Sequence, residues 1–140
     1  MNAWSNLPNA AHIDAILTDA SARPEVWDVT WRGVHAEICA DVQGLARDVA
    51  TWHGSRDVAR NRGWVAARAA VRYAAWDTKW LIATGLSVRD AIRALIAWDE
   101  SAALLDLTPD ALRTIIDVAD GDVKHQAVLL LPAVIARSTP

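Results

Sequence analysis

A four-residue repeat of tryptophan and arginine runs through the middle of the chain and limits the folds that it can adopt. Counted in steps of four, every position from 52 to 80 is one of these two residue types: Trp52, Arg56, Arg60, Trp64, Arg68, Arg72, Trp76 and Trp80. Alanine and valine fill much of the space between them. Residues four apart are neighbours on an α-helix, which has 3.6 residues per turn, so the repeat is typical of a helix.

The composition is that of one globular domain. The chain has 140 residues, of which 53% are hydrophobic and 22% charged, which suits a single domain covering 1–140 with a substantial core. Alanine, the best helix former, is used heavily, and eight tryptophans accompany a complete lack of phenylalanine. We therefore predict an all-α fold, a compact single-domain bundle of six or seven helices.

Capping and breaking residues place the ends of these helices. The predicted helices cover about 10–20, from Pro24 to about Thr51, 64–83, from Ser87 to about Leu105, 109–119 and 122–136. The predicted N-caps are Asn9, Ser55, Ser87, Thr108 and Asp122. The predicted stops or bends are Gly54, Gly63, Gly85, Gly121 and, as a kink in the last helix, Pro132.

Charge is distributed unevenly along the chain. The formal net charge of −3 and the pI of about 5.7 argue against a general nucleic-acid-binding protein, which is normally basic. Residues 56–72 carry five arginines and one acid, whereas residues 90–122 carry eight acids and two arginines. Either these segments face each other within the fold or across an oligomer, or the basic segment meets an external anion.

The basic part of the repeat is a candidate ligand site. Each step of four drifts by about 40°, so the residues form a slanted stripe around their helix. Arg56–Arg60 and Arg68–Arg72 are like-charge neighbours that an anion would relieve, and tryptophan rings four residues away could stack on a base. The predicted ligand-binding residues are Arg56, Arg60, Trp64, Arg68, Arg72 and Trp76. The alternative is that the arginines pair with the acids of residues 90–122 or are solvated.

The chain resembles a group of alanine- and tryptophan-rich tetrad-repeat proteins of bacteriophages and prophages. The resemblance lies in NAWSNLPNAAHID (2–14), the tetrads of 27–80, ALIAWDE (94–100) and AVLLLPAVIA (127–136). It implies an accessory protein of phage origin, of a kind that often acts against host defences; with the single cysteine, which fits a reducing compartment, this predicts a location in the cytoplasm of a bacterial host. It supplies no catalytic residues. The degraded first tetrad array and its shift in phase near Trp52 depart from the group's pattern.

Other groups of residues give only weak evidence for a metal site or a catalytic site. His35 and Cys39 lie four residues apart, but zinc sites usually need three or four ligands, so no metal or other cofactor is predicted. Asp99 and Glu100 are adjacent on a predicted helix and so cannot face one pocket equally. A single cysteine excludes an intrachain disulfide and fits a reducing compartment. The longest apolar run, 127–136, is too short to span a bilayer.

Together these features predict a non-enzymatic binding protein. The first hypothesis is that it sequesters a small anionic ligand, such as a nucleotide signal, with the arginines holding phosphate. The alternative is a protein-interaction module that inhibits a host or defence protein by direct binding through exposed tryptophans. Self-association into a homo-oligomer is expected in either case, and neither general nucleic-acid binding nor membrane binding is expected.

Overall fold

The chain folds as an all-α bundle, which confirms the predicted class. The computed structural model describes residues 4–38, 58–78, 80 and 82–140. The α-helices are α1 (Ala10–Ala22), α2 (24–38), α3 (Val58–Thr78), α4 (Ile82–Ala97), α5 (Pro109–Val118) and α6 (Gly121–Ser138). A 3-10 helix, η1 (Asp99–Asp106), connects α4 to α5. The predicted end of the second helix near Thr51, the boundary at Gly54 and Ser55, and Arg56 and Cys39 lie outside the described residues.

The two helices with the most buried residues, α4 and α6, form the centre of the bundle. They pack against each other, and α1 and α3 cover α4 while α5 covers α6. Ile92 and Leu95 of α4 and Leu129 and Leu130 of α6 are fully buried. A helix that is apolar on most sides is stable only when neighbours cover it, so the sequence of these two segments dictates their central position.

The N-terminal segment crosses the bundle and ties α1 to the end of α4. Asn9 lies at the predicted N-cap position of α1, but its side chain makes no capping hydrogen bond there. Its buried amide Nδ2 instead donates to the carbonyl oxygens of Leu95 at 2.9 Å, Trp98 at 3.3 Å and Asp99 at 3.1 Å. These carbonyls lie where α4 ends and η1 begins, so Asn9 ties the start of α1 to this junction.

The predicted break at Gly63 is wrong, because α3 runs through it without interruption. Gly63 is buried under the N-terminal segment, and a Cβ atom at this position would lie 2.7 Å from Leu7 Cδ1 and 3.6 Å from Trp4 Cβ. The missing side chain therefore allows the N-terminal segment to approach α3 closely.

The boundary predicted between the third and fourth helices is also wrong. The sequence predicts a third helix over 64–83 with Gly85 as its stop, but α3 ends at Thr78 and α4 begins at Ile82, so Gly85 lies inside α4. Ser87, predicted as an N-cap, is likewise inside α4 and buried. The hydroxyl of Thr84 donates to the carbonyl oxygen of Pro24 at 2.8 Å, which anchors the first turn of α4 to the start of α2. Tertiary contacts of this kind override the weak helix propensity of a single glycine.

The capping and stop residues predicted in the C-terminal third agree better with the structure than those near α3 and α4. Thr108 caps α5 as predicted, accepting from the backbone N–H of Ala111 at 3.1 Å. Gly121 has a positive φ of 68° and ends the connection from α5, but Asp120 and not Asp122 is the N-cap residue of α6. The helix predicted to run to Leu105 ends at Ala97, because Trp98 is extended and the chain continues as η1. Pro132 lies buried within α6.

Candidate anion-binding site

The predicted ligand-binding residues of α3 do not share one surface. Arg60 and Trp64, in the first half of α3, point into the bundle. The side chain of Arg60 is 16% exposed, and Trp64 as a whole residue is 6% exposed. Arg68, Arg72 and Trp76, in the second half, are exposed. The slant that follows from 3.6 residues per turn separates them, so the four-residue repeat crosses from the core to the surface.

Arg60 is engaged by the chain itself. Its Nη2 lies 2.7 Å from Asp99 Oδ1, and its Nη1 donates to the carbonyl oxygen of Ile96. Arg60 therefore joins α3 to the last turn of α4 and the start of η1. This ion pair connects the basic segment to the acidic segment, as the simpler of the two interpretations of the charge pattern predicted.

Trp64 is a packing residue covered by a cation. The guanidinium carbon of Arg93, on α4, lies 4.7 Å from the centre of the Trp64 ring, within the range of a cation–π contact. With 6% of its surface exposed, the indole offers little area for a stacked base. The structure thus places Trp64 beneath a cationic group that the sequence did not connect with it.

Arg93 is buried, and two of its three guanidinium nitrogens make no hydrogen bond within the described chain. The residue is 8% exposed, and its closest acid is Asp90, with 4.0 Å between Nη1 of Arg93 and Oδ1 of Asp90. In the part of the chain that the structure describes, Nε and Nη1 of Arg93 make no hydrogen bond. Burial lowers the pKa of Arg93, Asp90 opposes that effect, and Arg89 and Arg68 add to it. A buried donor that lacks an acceptor costs about 1–3 kcal/mol, and more when it is charged.

Arg89 and Arg68 complete a group that we term the arginine cluster: Arg68 from α3 with Arg89 and Arg93 from α4. Nε of Arg89 is also buried without a hydrogen bond among the described residues. No ion pair joins Arg68 or Arg89 to an acid in the described ranges. Asp90 lies close to two of these cations: burial raises its pKa to about 6, and Arg93 and Arg89 oppose the rise.

The cluster has the electrostatics of an anion site. It carries a surplus of two positive charges when Asp90 is ionised, and more when it is protonated. About a tenth of the Arg93 side chain reaches solvent, Arg68 is exposed and Arg89 is half-buried. Like charges at this proximity are unfavourable unless an anion compensates them.

Sequence reasoning missed the two arginines of α4, because it treats Arg93 only as part of the acidic segment 90–122 and gives no role to Arg89. The signal was nevertheless present. Arg89 and Arg93 are four residues apart, the same like-charge spacing that drew attention to Arg68 and Arg72.

The carboxylates considered for catalysis have partners. Asp99 pairs with Arg60, and Oε1 of Glu100 accepts from Nε2 of Gln126 at 3.2 Å. In the described ranges, no group of three or more histidine, cysteine, aspartate or glutamate residues is arranged to hold a metal ion. The helices that the structure describes include none with the length and apolar character needed to cross a membrane.

Two further concavities lie away from the cluster. One, of about 570 Å³, lies between α2 and the start of α4, where the stacked rings of Trp31 and His35 face Ile82 and Leu86. The other, of about 510 Å³, lies along the second half of α3 beside Arg72, Tyr73 and Trp76.

Comparisons with known proteins were made at three levels. Neither protein-family models, nor curated proteins, nor solved structures gave a match to this chain.

Proposed function

We propose that the protein binds a small phosphate-bearing ligand at the arginine cluster and does so without catalysis. The observation that carries this proposal is the buried guanidinium of Arg93, whose Nε and Nη1 have no hydrogen-bond acceptor in the described chain. Arg68 on α3 and Arg89 on α4 lie close enough to Arg93 to lower its pKa further. Two helices therefore contribute to the positive charge that lacks an anion.

The chemistry of arginine favours phosphate over other anions. The planar guanidinium presents paired N–H donors that match two oxygens of one phosphate. Three such groups from two helices supply donors from more than one direction. A carboxylate ligand would satisfy one arginine, whereas a phosphate has enough oxygens to engage all three.

The proposed site differs from the one that the sequence predicted. Arg68 remains, Arg60 is replaced because it pairs with Asp99, and Arg89 and Arg93 are added. Because Trp64 is buried beneath Arg93, we assign recognition to the phosphate and not to stacking of a base on this ring. The sequestration of a nucleotide signal by a phage accessory protein, which the resemblance implies, is the biological role that we propose.

The side-chain contacts of the available carboxylates favour binding without catalysis. Asp99 and Glu100, which the sequence offered for acid–base chemistry, are held by Arg60 and Gln126. Asp90 sits within the cluster, where it competes with an incoming anion.

Calorimetric titration with inorganic phosphate and a panel of cyclic and linear nucleotides tests the proposal. We expect binding by the unmodified protein and a loss of about tenfold or more in affinity for Arg68→Ala, since each charge-assisted hydrogen bond contributes about 1.5–3 kcal/mol. Arg89→Ala is expected to behave in the same way. Arg62→Ala is the matched control, because Arg62 is exposed on the same helix and lies outside the cluster.

Asp90→Asn supplies a variant with the opposite expected effect. Removing the competing carboxylate should tighten phosphate binding. Failure of every anion to bind, or equal losses for Arg68→Ala and Arg62→Ala, would overturn the assignment of the site to the arginine cluster.

A further inference from the structure

The second half of α3 carries an exposed aromatic and basic surface, which we term the tryptophan surface: Arg72, Tyr73 and Trp76. Tyr73 is 74% exposed and Trp76 is 85% exposed, whereas Trp27, Trp64 and other tryptophans are buried in the core. Together with Ala69 they line the concavity on this face of α3. No acid of the described ranges pairs with Arg72. Tryptophan, tyrosine and arginine are the residue types that dominate binding energy at protein interfaces.

A second surface, on the other side of the bundle, has the complementary character. We term it the acidic surface: Asp106, Asp110, Asp117, Asp120 and Asp122, at the end of η1, on α5 and at the start of α6. All five are exposed. Within the described chain, Asp110 pairs with Arg113 at 3.7 Å, and the other four form no ion pair. Arg113 is itself shared with Glu37.

Exposed aliphatic residues adjoin three of these acids in the sequence. Val118 is 76% exposed, Val123 is 48% exposed and Leu107 is 39% exposed. The acidic surface therefore offers both carboxylates for an arginine and apolar area for an indole. Opposite charge combined with apolar contact is the arrangement found across specific interfaces.

The two surfaces belong to separate parts of one molecule. The α3 helix packs on α4 and α1, whereas α5 packs on α6 and η1 joins α4 and α6. With the central helices between them, the surfaces are available to different molecules.

From this complementarity we propose that the tryptophan surface of one copy binds the acidic surface of a second copy. Trp76 and Tyr73 pack on Val118 and Val123, and Arg72 pairs with the aspartates at the ends of α5. Because a pair of copies joined in this way still has one free surface of each kind, the assembly is head-to-tail and grows into a ring or a filament. The inference is independent of the arginine cluster, since it uses no residue of that cluster.

Sedimentation velocity over a range of protein and salt concentrations tests the proposal. We expect the mass of the unmodified protein to increase with concentration and to decrease towards the monomer at about 1 M salt, where charges are screened beyond about 3 Å. Arg72→Glu/Trp76→Ala should be monomeric because its tryptophan surface is disabled. Asp117→Arg/Asp120→Arg should be monomeric because its acidic surface is disabled.

A mixture of the two variants gives the decisive result. Each retains the surface that the other lacks, so an equimolar mixture should form a one-to-one dimer and nothing larger. Far-ultraviolet circular dichroism confirms that both variants are folded, which is expected because all four positions lie on exposed or helix-end sites. Phosphate binding by both variants would show that the arginine cluster works without assembly.

Three outcomes would overturn the proposal. The first is an unmodified protein that stays monomeric at every concentration and low salt. The second is association of Arg72→Glu/Trp76→Ala to the same extent as the unmodified protein. The third is a variant mixture that remains monomeric, which would assign the tryptophan surface to a different protein.

Discussion

The guanidinium of Arg93 lies 4.7 Å from the centre of the Trp64 ring, so a tryptophan of the four-residue repeat is covered by a cation from the next helix. This contact divides the repeat into two functional parts. Arg60, one step before Trp64, joins α3 to the end of α4, and Arg68, Arg72 and Trp76 after it are exposed, whereas Trp80 at the end of the repeat is buried.

Alanine substitution of two tryptophans on α3 tests this division. Trp64→Ala should lower the free energy of unfolding by about 3–5 kcal/mol, because it leaves a cavity under Arg93. Trp76→Ala should change it by about 0.5 kcal/mol or less, since that ring is 85% exposed. Urea denaturation of both variants gives the comparison, and equal losses would contradict the division.

The helical class followed from the sequence because it depends on local composition. Heavy use of alanine and the four-residue spacing both favour helices. The capping signal at Thr108 was also reliable, because a cap acts within one turn.

The wrong predictions concern features that contacts between distant parts of the chain determine. Gly63 and Gly85 suggested breaks, but packing by Leu7 and an anchor from Thr84 to Pro24 keep α3 and α4 helical. The arginine cluster brings Arg68 together with Arg89 and Arg93 across two helices. Such a juxtaposition depends on how α3 and α4 pack, which no single helical pattern specifies.

Arg60 and Arg62 are two residues apart on α3 and should respond differently to removal. Arg60→Ala should cost about 1–2 kcal/mol, because it breaks a part-buried ion pair with Asp99 and a hydrogen bond to Ile96. Arg62→Ala should cost close to zero, since this arginine is exposed. Thermal denaturation at low and high salt distinguishes them. A loss for Arg60→Ala no larger than that for Arg62→Ala would show that the ion pair contributes little.

Asn9 is a sensitive position although it lies near the N-terminus. Asn9→Asp keeps the shape of the side chain but removes the amide donor and directs an anion at three carbonyl oxygens. We expect a loss of about 3 kcal/mol or more at neutral pH, greater than the loss for Asn9→Ala, which removes the donor without adding charge. Urea denaturation measures both. A milder effect of Asn9→Asp than of Asn9→Ala would mean that the amide does not cap α4.

Asp90 makes stability depend on pH in a direction opposite to that of most carboxylates. Burial raises its pKa from 3.8 to about 6, against the attraction of Arg93 and Arg89. The folded protein therefore holds this proton more tightly than the unfolded chain. The contribution of Asp90 to the free energy of unfolding is greatest below about pH 4 and is lost as the pH rises to about 6.

Asp90→Asn isolates this contribution from the other titrating groups. Asparagine has nearly the same shape and stays neutral, so the variant should gain stability relative to the unmodified protein as the pH rises through this window. The rise in pKa corresponds to about 3 kcal/mol as an upper value. Urea denaturation of both proteins at a series of pH values between about 4 and 7 gives the difference. If that difference stays constant across the series, Asp90 is ionised in the folded protein throughout, and the cluster carries a full carboxylate even in acid.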